Sequence, residues 1–130
     1  MGLAFLLVLL GLGCLFLAYR EQEPFQAIKV KGEALQKLVV QETGSQEADP
    51  MERTIDFAAL QRINPEIVGW LYVPQIGVDS PILTGQTDTE YLTKDFEGAY
   101  SPLGSIFTFA GARLSDSQVY LFAHNMASGQ

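Results

Sequence analysis

The chain opens on an apolar run in which no charged residue interrupts Leu3 to Tyr19. About 17 residues is the short end of what a helix needs to cross a bilayer. A periodic stretch follows. Phe25, Ile28, Leu35, Leu38 and Val39 recur at helical spacing, with Gln, Glu and Lys between them. This predicts an amphipathic stalk helix from about Glu23 to Gln41. Gly32 weakens it, since glycine inside a helix costs about 1 kcal/mol relative to alanine. From Glu42 to Pro50 turn formers take over and no apolar side chain is larger than that of alanine, which predicts a loop.

After residue 53 the period changes. Asp56 is placed to cap a short helix over Phe57–Ile63, its carboxylate accepting from the first free N–H groups. Asn64-Pro65 ends that helix, because the residue before proline avoids helical angles. Trp70–Val73 is aromatic and β-branched and reads as a strand. Val78–Leu83 is a second strand. Pro81 inside it cannot donate to a ladder, which predicts an edge strand or a bulge. Thr87–Tyr91 suits a helical turn and Gly104–Phe109 a third strand. Val119–Ala123 is apolar at every position, the mark of a strand buried on both faces. Short strands with Gly- and Pro-rich turns and little helix predict a mainly β barrel or sandwich. That most buried strand lacks a following neighbour before Gln130, so the barrel is expected to be incomplete in this chain and to close through further C-terminal sequence. The expected layout is an anchor over 1–20, a helical stalk and acidic linker over 21–53, and a folded portion over 54–130.

Composition changes the picture in three places. The apolar run has no basic residues before it and no small-residue cleavage site after it, which favours an uncleaved transmembrane anchor over a signal peptide. Arg20 follows the run and only the terminal amine precedes it, so charge alone leans toward a cytoplasmic C-terminus. The net charge of −7 argues against nucleic acid, whose phosphates call for a basic face. The single cysteine, Cys14, lies inside the apolar run, so no disulfide forms within the chain. Gly13 before it suits lipidation. Gly11 stands where a lipidation signal wants leucine, and no basic segment precedes the run, so a lipid-modified surface protein is the lesser alternative.

One candidate for chemistry stands out. His124 is the only histidine, and it directly follows the apolar strand and precedes a turn-like Asn125–Gly129. Strand ends at a rim are where a rigid scaffold presents reactive groups. Imidazole exchanges protons near neutral pH. The competing reading is a half-buried histidine hydrogen-bonded to backbone. No second His or Cys outside the anchor suggests a metal site, and no cofactor is implied.

Several segments taken in order resemble class B sortases. Ile63-Asn64-Pro65-Glu66-Ile67-Val68-Gly69-Trp70-Leu71 is similar to the opening of their catalytic domain. Pro74, then Val78-Asp79-Ser80-Pro81-Ile82-Leu83, resembles the proline-containing second strand. Tyr91-Leu92, Asp95-Phe96 and Gly104-Ser105-Ile106-Phe107 continue the series. Val119-Tyr120-Leu121-Phe122-Ala123-His124-Asn125-Met126 resembles the strand that ends in the family's catalytic histidine, with Ala123 where glycine is more usual. The resemblance covers roughly residues 54–126.

The resemblance implies the N-terminal part of a sortase-like closed β-barrel. It also implies an extracytoplasmic cysteine transpeptidase held on the plasma membrane by one span. Such an enzyme cleaves a sorting signal near the C-terminus of a surface protein and passes the acyl group to a cell-wall or pilin amine. His124 would be its acid–base catalyst. The Asp88–Leu92 segment, above all Leu92, and Phe122 would line the peptide groove, although core packing serves Leu92 and Phe122 equally well and an exposed turn or helix cap suits Asp88 better. The family's cysteine and arginine are not matched in this chain. Cys14 lies in the anchor, and Arg113 belongs to the loop before the His124 segment, so this stretch alone is expected to be inactive. Implied partners are the sorting-signal peptide, the acceptor amine and the lipid bilayer around residues 3–19. The alternative is a membrane-tethered, non-catalytic sortase-like module that binds peptide.

Overall fold

The computed structural model describes residues 2–41 and 53–124, with side chains in the first stretch described at 8–17 and 26–40. The loop expected at 42–50 and the turn expected at 125–129 lie outside the described residues. Helix α1 runs from Gly2 to Val39. The apolar run and the amphipathic stretch are therefore one helix, which continues through Pro24 although proline contributes no N–H to the ladder. Among the described residues, no helix is long and apolar enough to cross a membrane. The fully described part of the run, Val8–Leu17, is shorter than a span requires.

The C-terminal third of α1 packs on the rest of the chain. Leu35 and Val39, one turn apart, are buried in the core, and Ile28 is half-buried on the same stripe. Leu38, which spacing assigned to that stripe, instead faces outward. The helix passes into strand β1 (Val40–Gln41), which pairs antiparallel with β2 (Thr54–Ile55). The Asp56 N–H donates to the Val39 carbonyl at 2.9 Å, fixing the start of the next element to the end of α1. Helix α2 is Phe57–Ile63, with Asp56 capping it by accepting from the Ala59 N–H at 2.9 Å, as the sequence predicts.

Strand β3 (Ile67–Val73) turns through a 3₁₀ segment, Pro74–Ile76, into β4 (Val78–Thr84). Gly77 closes that turn at φ +69°, a left-handed value that suits glycine. The sheet order is β3-β4-β5, with β5 (Ile106–Thr108) parallel to β4. Pro81 therefore lies in the central strand, not in an edge strand as its missing donor suggested. The structure accommodates it because the β5 ladder begins only at Ile82, so β4 has no hydrogen-bonded neighbour on that side at Pro81. The irregularity falls instead on β3, between Ile67 and Gly69.

The larger correction concerns Val119–Ala123. This segment is not a two-faced buried strand: Tyr120, Leu121 and Phe122 are 53%, 40% and 36% exposed, and only a single antiparallel bridge joins Phe122 to Phe107. A continuous apolar run becomes a buried strand only if both of its faces are covered. Here Phe107 and Phe109 supply one neighbour through ring contacts with Phe122 at 5.5 and 4.8 Å, and nothing among the described residues covers the other. The sheet is accordingly open, a partial, sheet-rich version of the expected barrel.

The core gathers Leu35, Val39, Leu60, Ile67, Leu83, Tyr91 and Phe107. Burying an aliphatic side chain of this size contributes roughly 1.5–3 kcal/mol. Asn64 is the polar centre of this core. Its amide donates to the Tyr91 hydroxyl at 2.8 Å and to the Phe96 carbonyl at 2.9 Å, and its carbonyl oxygen accepts from the Glu66 N–H. The Tyr91 hydroxyl in turn donates to the Glu66 carboxylate at 2.6 Å. Burial, then the Glu66 carboxylate, holds the Tyr91 phenol well above its ordinary range.

Candidate active site

His124 stands half-exposed at the rim of a cleft of about 660 Å³. One wall is α1, through Lys29, Glu33 and Gln36. The other is formed by β4 around Asp79 to Pro81 and by Gly104 to Ile106. The Phe107–Phe122 bridge, two residues before the histidine, sets the imidazole beside the start of β5.

Local constraints hold both walls. Gly104 has φ +61°, and a Cβ there would sit 2.5 Å from the Tyr91 carbonyl oxygen and 2.6 Å from that of Leu92. Only glycine lets this turn press against the 91–92 backbone, where the Ser105 N–H donates to the Tyr91 carbonyl at 2.9 Å. On the opposite side, Lys31 ties α1 to the next loop, pairing with Asp95 at 2.8 Å and Glu97 at 2.5 Å. Its ammonium is held above its usual pKa, first by the Asp95 hydrogen bond and then by that of Glu97. The buried Asp95 is itself fixed by accepting from the Glu97 and Ala99 N–H groups. Gln36 donates from its amide to the Asp79 carbonyl at 2.8 Å, a second tie between helix and sheet.

The charged side chains in the cleft differ in how they are committed. The Asp79 carboxylate accepts from both terminal nitrogens of Arg53, at 3.0 and 2.5 Å, and from the Trp70 indole at 2.7 Å. Arg53 also lies 3.8 Å above the Tyr72 ring centre. These ligands leave Asp79 with a structural role. Among the described residues, no group of three or more His, Cys, Asp or Glu is arranged to hold a metal ion.

The residues expected from sequence are distributed as follows. His124 lines the cleft; Leu92, Phe122 and Asp88 do not. Leu92 is half-buried and packs against the core. Phe122 presents a partly exposed ring two residues from His124. Asp88 is exposed and accepts from the Ala110 N–H at 2.8 Å, tying its turn to the one that carries Phe109. Cys14 is exposed on α1, away from the cleft-lining residues. Arg113 lies in an exposed turn, its backbone N–H donating to Asp116. The sequence reading missed that the stalk helix is a wall of the cleft. One signal was available: Lys31 falls three residues after Ile28 and four before Leu35, a charge inside the apolar stripe that called for a partner on the domain.

The three-stranded sheet with its parallel β4–β5 pair is similar to part of the sortase fold. Within that class the similarity is to sortase B. The chain is 41% identical to sortase B of Staphylococcus aureus (strain NCTC 8325 / PS 47) over 51 residues, covering 39% of this chain and 21% of that protein. It matches the crystal structure of sortase B from B. anthracis in complex with AAEK1 with a TM-score of 0.65 and 26% identity, over 82% of this chain and 50% of that one. It also matches a crystal structure of sortase B complexed with triglycine, with a TM-score of 0.52 and 32% identity, over 56% of this chain and 35% of that one. No family model matches the chain. The chain thus spans about a fifth of the length of that curated relative and half or less of these solved chains.

Proposed function

We propose that this chain is the histidine-bearing, N-terminal part of a class B-type sortase, a cysteine transpeptidase that joins surface proteins to an amine acceptor. The observation that carries this reading is His124, the sole histidine, at the rim of a formed cleft in a fold similar to that of sortase B. In the proposed reaction a cysteine thiolate attacks the scissile carbonyl of a sorting signal, and the carbon–nitrogen bond breaks as His124 gives a proton to the departing amine. An acceptor amine then attacks the thioester, His124 takes its proton, and the thiolate leaves. The cysteine and an oxyanion-stabilising arginine are supplied from sequence outside these 130 residues, and the stretch alone is inactive. The acceptor follows the triglycine complex of sortase B. Leu92, Phe122 and Asp88 border the peptide groove in this reading. Support comes from the exposed Phe122 ring and from the Asp88 bond to the Ala110 N–H, next to the Phe109 ring that Phe122 contacts.

The same proposal assigns residues 1–20 to a plasma-membrane anchor, 21–53 to a stalk and linker, and 54–130 to an extracytoplasmic catalytic portion. Val8, Leu9, Leu10, Leu12, Leu15, Phe16 and Leu17 are between 51% and 68% exposed, as suits a lipid-facing segment.

The test is transfer of a fluorogenic sorting-signal peptide to triglycine by an enzyme that carries this sequence together with the cysteine. His124→Ala is expected to lower kcat/KM by about 10²–10⁴-fold with an unchanged near-ultraviolet circular dichroism spectrum. Turnover within threefold of wild type would remove His124 from the mechanism. A peptide-binding module without turnover is the second reading, favoured by the position of Cys14 outside the cleft. Peptide binding by the enzyme with no thioester formed would select it.

A further inference from the structure

His124 is carried by a segment with few ties to the sheet. Among the described residues, one antiparallel bridge joins the two: the Phe107 and Phe122 backbones exchange hydrogen bonds at 3.0 and 2.8 Å, two residues before the histidine. A single bridge fixes one point and specifies register weakly, and a slip of one residue exchanges the sides from which successive side chains leave. Aromatic rings supply what the ladder lacks. Phe107 stacks on Phe122 at 5.5 Å. Phe109 meets two rings of the segment edge-on, Phe122 at 4.8 Å and Tyr120 at 6.0 Å, an arrangement that aromatic pairs favour. One ring shared by residues two apart selects this register, since a slip would bring Leu121 with Val119 or Ala123 to those places. Phe109 is itself held on both sides. Its carbonyl accepts from the Thr84 hydroxyl and from the Ala112 N–H, each at 3.1 Å, and the Ala110 N–H donates to the Asp88 carboxylate at 2.8 Å. The seat is therefore tied to β4 and to the turn at Asp88. At 41% exposure the Phe109 ring lies outside the core.

We propose that Phe109 is a positioning residue for His124: its ring seats Tyr120 and Phe122 and so fixes the register in which the imidazole reaches the cleft. This deepens the reading of His124 as acid–base catalyst and rests on it. The ring takes no part in the chemistry. It acts through the two aromatic side chains it locks to the β5 edge, and Asp88 acts one step further back, by fixing the backbone that carries the ring. Proton transfer needs the imidazole within hydrogen-bond reach of the reacting nitrogen, so a seat that decides its side and height decides whether it can act.

The test reads the imidazole directly, in the full 130-residue chain in detergent micelles. His124 is the only histidine, so selective ¹³C labelling reports on it alone. Wild type is expected to give one signal, relaxed by a soluble paramagnetic agent more slowly than free histidine, as suits a half-exposed ring. Phe109→Ala should split that signal or bring its relaxation to the free-histidine rate. Phe109→Leu keeps apolar bulk without an aromatic edge and should do the same, which keeps the test decisive if the alanine variant fails to fold. Phe109→Tyr restores the ring and should restore the wild-type signal. Phe57→Ala removes a ring of equal exposure, 40%, from α2 and should leave the signal unchanged. In the enzyme that carries the cysteine, Phe109→Ala should lower kcat by about tenfold to a hundredfold and leave KM within about twofold. A wild-type signal in Phe109→Leu, no restoration by Phe109→Tyr, the same change in Phe57→Ala, or a wild-type imidazole as accessible as free histidine would each overturn the proposal. The imidazole readout needs no turnover, so the seat can fail while His124 stands as catalyst, and the reverse.

Discussion

Two apolar stretches in this chain meet different fates. Ile82-Leu83 in β4 lies between β3 and β5 and is almost wholly removed from solvent. Tyr120-Leu121-Phe122 touches only the Phe107–Phe109 edge and remains between 36% and 53% exposed. Both are apolar, but only the first has a neighbouring strand on each side. An apolar strand is a demand for cover, and the structure meets the demand only where other elements of the chain supply both faces. The polar groups follow the same division. Around β3 and α2, Asn64, Tyr91 and Glu66 satisfy one another, whereas at the end of β5 the buried Thr108 hydroxyl finds no partner among the described residues.

This contrast can be broken by mutation. Leu83→Ala should destabilise the fold by about 3 kcal/mol, since it opens a cavity in a filled core. Leu121→Ala should cost less than about 1 kcal/mol, because the side chain is already half in water. Thermal and chemical unfolding of the micelle-bound chain would check the pair, and equal losses would mean that Tyr120–Phe122 is covered in solution. Asn64→Ala should cost about 2 kcal/mol, as it strands the Phe96 carbonyl and removes one partner of Tyr91. Thr108→Val keeps the shape and removes the orphan hydroxyl, so a gain of up to about 1 kcal/mol is expected in the same assay. A loss would indicate that the hydroxyl has a partner.

The last prediction concerns alkaline pH. A Tyr91 phenol held above its ordinary value of 10.0 means that the folded state keeps a proton which the unfolded state gives up. Its contribution to stability is therefore complete below about pH 10 and is lost as pH rises beyond it. Lys31, also raised, acts in the same direction, although it is partly solvent-screened. Urea titrations at pH 8 and pH 11 should show a larger loss for wild type than for Tyr91→Phe. Equal losses would place the alkaline sensitivity elsewhere.

The limits of sequence reading track range along the chain. The Asp56 cap and the stop at Asn64-Pro65 were legible because each acts within a few residues. The strands at Trp70 and Val78 were legible for the same reason. Asn64 itself was read only as a helix stop, since its bonds to Tyr91 and Phe96 span 27 and 32 residues and leave no local pattern. The pairing of β1 with β2 was missed because two-residue strands carry no periodicity. Pro81 misled for a different reason: proline forbids a donor on one side at one position, and the ladder simply starts one residue later. At the cleft, His124 was singled out in the sequence, while another wall came from a helix that reads as a spacer.

That helix has one further consequence. Because α1 is unbroken from Gly2 to Val39, the apolar face at Val8–Leu17 and the docked face at Lys31–Val39 share one angular phase. Each residue added between them turns one face against the other by about 100° and lifts it by about 1.5 Å. A one-residue insertion near Gln26 would therefore aim the cleft in a different direction at almost the same height. A seven-residue insertion would restore the direction to within about 20° and change the height by about 10 Å. The helix couples bearing to distance as a screw thread does, so the direction the cleft faces is written into the number of residues that carry it.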